Sequence, residues 1–85
     1  MITCDFFLKG EHSLFYRVKT ITEKSSLDCW KTFNKNFGEA ISELVKVKVI
    51  HANGNEDHFH PIEFKKTIGV QSWLKNILTK QFLMQ

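Results

Sequence analysis

The chain has only two cysteines, Cys4 and Cys29. That is too few for a disulfide-built scaffold, and neither belongs to a Cys-x-x-Cys pair of the kind structural zinc sites use. Proline occurs once, at Pro61, and glycine four times; no stretch reads as a linker or a low-complexity segment. No apolar run approaches the ~20 residues that cross a bilayer. The first residues, MITCDFFLKG, carry an early acid and no basic segment, unlike a secretory signal. These absences set the expectation of a cytoplasmic protein without membrane contact. Catalytic signatures are missing too: there is no P-loop, no Gly-x-Ser-x-Gly and no His-Glu-x-x-His. No enzymatic activity and no cofactor are expected.

What is present suits one compact domain over 1–85. Apolar residues make up 42% of the chain and aromatics 13%, enough to fill a core and to exclude global disorder. The net charge of +3 bears on partners only if the cations gather on one face.

Residues 2–9 alternate, with Ile2, Cys4, Phe6 and Leu8 on one side and Thr3, Asp5, Phe7 and Lys9 on the other. Residues 13–21 repeat the pattern, Leu14, Tyr16 and Val18 opposing Phe15, Arg17 and Lys19. Both read as strands. Aligning the two apolar sides across a three-residue loop places Leu8 opposite Leu14, Phe6 opposite Tyr16 and Cys4 opposite Val18. Phe7 then meets Phe15, and Asp5 meets Arg17, both favourable cross-strand pairs. Ser25, with Asp28 three residues on, marks a helix start. Leu27, Trp30, Phe33, Phe37, Ile41 and Leu44 follow at helical spacing. Gly38 either caps this helix or interrupts it at a cost of ~1 kcal/mol, and the continuing stripe favours extension to about Leu44.

Residues 45–51 and 58–64 read as a second hairpin around Asn53-Gly54-Asn55. A two-residue Gly54-Asn55 turn pairs His51 with His58, Val49 with His60, Val47 with Ile62, Val45 with Phe64, Lys46 with Glu63 and Ile50 with Phe59. Pro61 lacks an N–H, which places this strand at an edge or a bulge. A final helix is expected over 70–83. The order is β-β-α-β-β-α. It implies an α+β fold, a four-stranded antiparallel sheet with two helices on one side, forming a two-layer sandwich.

In that arrangement Phe7, Phe15, Ile50 and Phe59 share the outer sheet face with Arg17, Lys19, Lys46 and Lys48. Scattered rim aromatics need no special explanation, and a helix covering the face would account for them equally. If the face is open, apolar groups among cations suit a protein partner, or a second copy of the chain in a homodimer. They also suit stacking of single-stranded RNA or DNA. The aromatic and glycine pattern of RNA-recognition sheets is absent, so a protein partner ranks above nucleic acid. His51, His58 and His60 fall on one side of the second hairpin near Asp57, a set that fits zinc. A hydrogen-bonded rim is the favoured reading, and no metal is expected. Cys29, near a helix start, reads as a small packed residue rather than a reactive thiol.

The stretch from Tyr16 to Phe33, YRVKTITEKSSLDCWKTF, resembles small proteins of phages and mobile elements, where a strand passes through a Ser-capped turn into a helix with an early acid and spaced aromatics. Many of those resemble inhibitors of host defence, including anti-CRISPR proteins. The resemblance implies compact α+β architecture and inhibition or regulation of a host complex by binding, without catalysis. It transfers no binding residue. The strong acidity of DNA-mimic inhibitors is lacking.

Overall fold

The computed structural model describes residues 1–10 and 16–69. Along them run β1 (Ile2–Lys9), β2 (Tyr16–Glu23), α1 (Ser26–Phe37), a 3-10 segment (Gly38–Glu43), β3 (Leu44–Ile50) and β4 (Glu56–Phe59). A second helix, α2, occupies 61–69. The strands form one antiparallel sheet in the order β2-β1-β3-β4. The fold is α+β with the expected order of elements. The helix expected over 70–83, together with His12, Leu14 and Phe15, lies outside the described residues. Among the described residues, no helix is long and apolar enough to cross a membrane.

The core lies between the sheet and the helices. Cys4, Phe6 and Leu8 of β1 and Val47 and Val49 of β3 point to this side and are buried. Phe6 stacks on Phe33 of α1 with ring centroids 4.3 Å apart. It also meets Phe64 of α2 edge-on at 6.0 Å. Trp30 joins both Phe33 and Phe64. Such contacts add to the area term that dominates a small core.

The helix ends follow local chemistry. Ser25 has extended dihedrals, and its Oγ accepts the Asp28 N–H at 3.1 Å, so the sequence-predicted cap is in place. The α-helix does not extend to Leu44. It stops at Phe37, turns into the 3-10 segment, and Leu44 opens β3. Gly38 keeps right-handed dihedrals and so makes no left-handed cap. Ala40 and Ile41 still pack against the core, which explains why the apolar stripe outlasts the α-helix.

Both hairpins differ in register from the sequence expectation, and both differences reverse which face a side chain takes. In the first, Cys4 lies opposite Ile21, Asp5 opposite Thr20, Phe7 opposite Val18 and Lys9 opposite Tyr16. Ile21 is thus the core residue of β2, whereas Tyr16 is 64% and Val18 44% exposed. Arg17 and Lys19 turn to the helix side, where Arg17 pairs with Glu43 and the Lys19 ammonium stands 5.0 Å over the Phe37 ring. Long cationic stems can cover the margin of a core while their heads stay wet.

In the second hairpin, Val47 lies opposite Phe59, Lys48 opposite His58, Val49 opposite Asp57 and Ile50 opposite Glu56. The loop has three residues. The Gly54 N–H bonds to the His51 carbonyl, the His51 N–H bonds to the Asn55 carbonyl, and Gly54 takes φ +88°. This is a turn closed by a left-handed glycine, in place of the expected two-residue turn. Pro61 does not sit in a strand. It opens α2 at the first helical position, where its missing N–H costs nothing. The His60 Nδ1 accepts the Ile62 N–H at 3.2 Å in front of it. Phe64 and Ile68 are therefore buried at helical spacing, and Ile62 is 59% exposed. A register shift between Phe7 and Leu8 leaves Val45 as an extra residue on β3. Val45 was expected inside and is partly exposed instead.

Candidate functional site

The helices cover one face of the sheet, and among the described residues nothing covers the other. Alternation fixes what that open face carries. β1 contributes Thr3, Asp5, Phe7 and Lys9, β2 Tyr16, Val18, Thr20 and Thr22, β3 Lys46, Lys48 and Ile50, and β4 Glu56 and His58. Of the residues expected here, Phe7, Lys46, Lys48 and Ile50 do share this face. Arg17, Lys19 and Phe59 do not. The first two lie on the helix side, and Phe59 packs toward the core, 6.0 Å from Phe64. Phe15 lies outside the described residues.

The open face divides into two halves along the strands. One half is a closed polar lattice. The Thr20 hydroxyl donates to Asp5 at 2.7 Å, and the Thr3 and Thr22 hydroxyls lie 2.9 Å apart. The Lys48 ammonium sits 3.8 Å from both Asp5 and Glu56, and His58 lies 3.5 Å from Glu56. Its charges are answered within the chain.

Among the described residues, the other half is largely apolar, and no carboxylate pairs with its lysines, Lys9 and Lys46. Phe7 and Tyr16 meet edge-on at 6.2 Å, and the Lys46 ammonium stands 5.3 Å over the Phe7 ring. Val18 and Val45 are exposed alongside. A groove of about 450 Å³ runs here, lined by Phe7, Tyr16, Val45, Lys46, His58, Phe59 and His60. Sequence reasoning placed Tyr16, Val18 and Val45 in the core. For β2 the pattern favours burial of Tyr16 and Val18, and the structure reverses it by burying Ile21. For Val45 the bulge leaves no sequence signal.

The three histidines are not brought together. The His51 Nε2 lies 2.6 Å from Asp57 on the helix-side face. His58 is on the open face, and His60 caps α2. No group of three metal-ligating side chains occurs among the described residues. Asp57 engages His51.

The two thiols are free and fully buried. The interaction of the two thiols is the main influence on the ionisation of both. It raises Cys4, which burial raises further, and it lowers Cys29.

No family model matches the chain, and neither does any curated protein or solved structure.

Proposed function

We propose that this chain is a non-catalytic protein-binding module that docks an apolar segment of a partner on the aromatic half of its open sheet face. The observation that supports this is the contrast within one face. Where Asp5, Thr20, Lys48 and Glu56 answer one another, no docking surface is needed. Where Tyr16, Val18 and Val45 are exposed beside the half-buried Phe7, no described residue covers the apolar area, and a partner would remove it from water. Aromatic anchors beside a cation suit such a contact, because a ring buries large area with little rotamer entropy to lose. The narrower reading is an inhibitor or regulator of a host complex encoded by a phage or mobile element. It rests on the resemblance of residues 16–33 alone.

The test is partner capture by the tagged chain and by a Tyr16→Glu, Val18→Glu double variant. Both positions are exposed, so the variant should melt like the wild type. Loss of a partner that the wild type retains supports the reading; equal capture by a folded variant removes this half of the face.

Single-stranded nucleic acid is the alternative occupant, favoured by Lys46 over the Phe7 ring. With Arg17 and Lys19 on the other side, the cations on this face among the described residues are Lys9, Lys46 and Lys48, and Lys48 already lies between two carboxylates. Titration with labelled RNA and single-stranded DNA at two salt concentrations separates the readings, since phosphate contacts weaken steeply with salt.

A further inference from the structure

The pair of nucleophilic side chains under α1 has no part in that surface. Cys4 points from β1 to the covered side and Cys29 faces it from α1, each with no exposed area. The Cys29 thiol donates toward the Ile21 carbonyl at 3.4 Å and the Ile2 carbonyl at 3.6 Å. Ile21 is the residue paired with Cys4 across β1 and β2, and Ile2 precedes Cys4 by two positions on the same side of β1. These two contacts set the Cys29 sulfur over the patch of sheet that the Cys4 side chain occupies. Ser26 and Cys29, both small and both buried, let the helix approach the strands closely.

The geometry points to Cys4 and Cys29 as an oxidisable dithiol that forms an intramolecular disulfide by exchange with a low-molecular-weight disulfide, linking β1 to α1. In the first step one cysteine thiolate attacks a sulfur of the oxidant, forming a mixed disulfide and releasing one thiolate. In the second, the other cysteine gives up its proton and attacks the protein sulfur of that mixed disulfide. The Cys4–Cys29 bond forms and the second small thiolate leaves. The chain loses two protons and two electrons, and the oxidant takes them up to become two thiols. Because both sulfurs are buried, the first step passes through local opening of α1 from the sheet. Reclosure returns the second sulfur to the first, so the mixed disulfide does not accumulate.

The experiment uses the folded full chain incubated with oxidised glutathione, quenched in acid and measured by intact mass without reductant. The expected product is a monomer lighter by two hydrogens, without alkylatable thiol, whose digest contains a peptide joining Cys4 to Cys29. Dithiothreitol should restore the original mass. Closing the long loop between the two should also raise the melting midpoint by on the order of 10 °C. A stable glutathione adduct, a disulfide-linked dimer or a cross-linked chain that melts below the reduced one overturns the assignment. So do thiols left unreacted over a time in which the backbone amides of α1 exchange with solvent. Cys29→Ser serves as the control. It must yield no monomer lighter by two hydrogens, and if it does, the bond is not between these residues.

Discussion

Phe6 and Phe7 are neighbours on β1, chemically identical, and set in opposite surroundings. Phe6 is sealed among Phe33, Phe64 and Trp30. Phe7 lies on the open face with an edge-on tyrosine, a lysine over its ring and a groove beside it. One residue step separates a side chain that holds the fold together from one that faces outward. The same division recurs within the open face, between the Asp5 lattice and the Phe7 groove. Stability and the proposed recognition thus fall to different side chains, and each can be perturbed alone.

The largest effect on stability is expected on the closed side. Phe6→Ala should cost about 3–5 kcal/mol, because it opens a cavity at the centre of the aromatic cluster. The lowered midpoint in denaturant melts checks it, and a loss below ~1 kcal/mol would mean that the cluster collapses without strain. Asp5→Ala should come next. It removes the acceptor of the Thr20 hydroxyl and the partner of Lys48, for about 1–2 kcal/mol. Partner capture by this variant should match the wild type, which separates the polar half of the open face from the apolar half. Val18→Glu should be smallest, within about 0.5 kcal/mol, since an exposed edge-strand position tolerates exchange. For capture the order reverses, with Val18→Glu losing the partner. If it both unfolds the chain and spares the partner, the assignment of the two halves is inverted.

The parts of this arrangement that the sequence revealed are those with one-sided patterns. β1 and β3 carry most of their apolar residues on one parity, so the faces of Phe6, Phe7, Val47 and Lys48 are readable directly. The cap at Ser25 is readable because Asp28 follows at the right distance. β2 is different. Its even positions hold Tyr16 and Val18, its odd positions only Ile21, yet Ile21 is the one buried, with Lys19 over the Phe37 ring and Arg17 paired with Glu43 on the same side. In β4 and α2, Ile62 and Phe64 imitate strand alternation, whereas Pro61 behind His60 is a helix start, and burial of Phe64 and Ile68 follows the helix period. The candidate face was therefore half visible. Phe7, Lys46, Lys48 and Ile50 depend on β1 and β3 alone. Arg17, Lys19 and Phe59 depended on hairpin registers that loop length decides.

Gly54 shows how much rests on such a loop. Its left-handed φ of +88° closes the turn after Asn53 and holds the loop at its present length. A strand has only two phases, so loop length acts on β4 as a reading frame acts on a coded message. With one residue more or fewer in the turn, every later side chain would change sides. Phe59 would leave the core for the open face, His58 would turn under the helices, and Asp57 would part from His51. Insertions elsewhere on the surface shift a loop outward and leave the faces as they are. At this turn an insertion would rewrite which half of the chain's chemistry meets the outside.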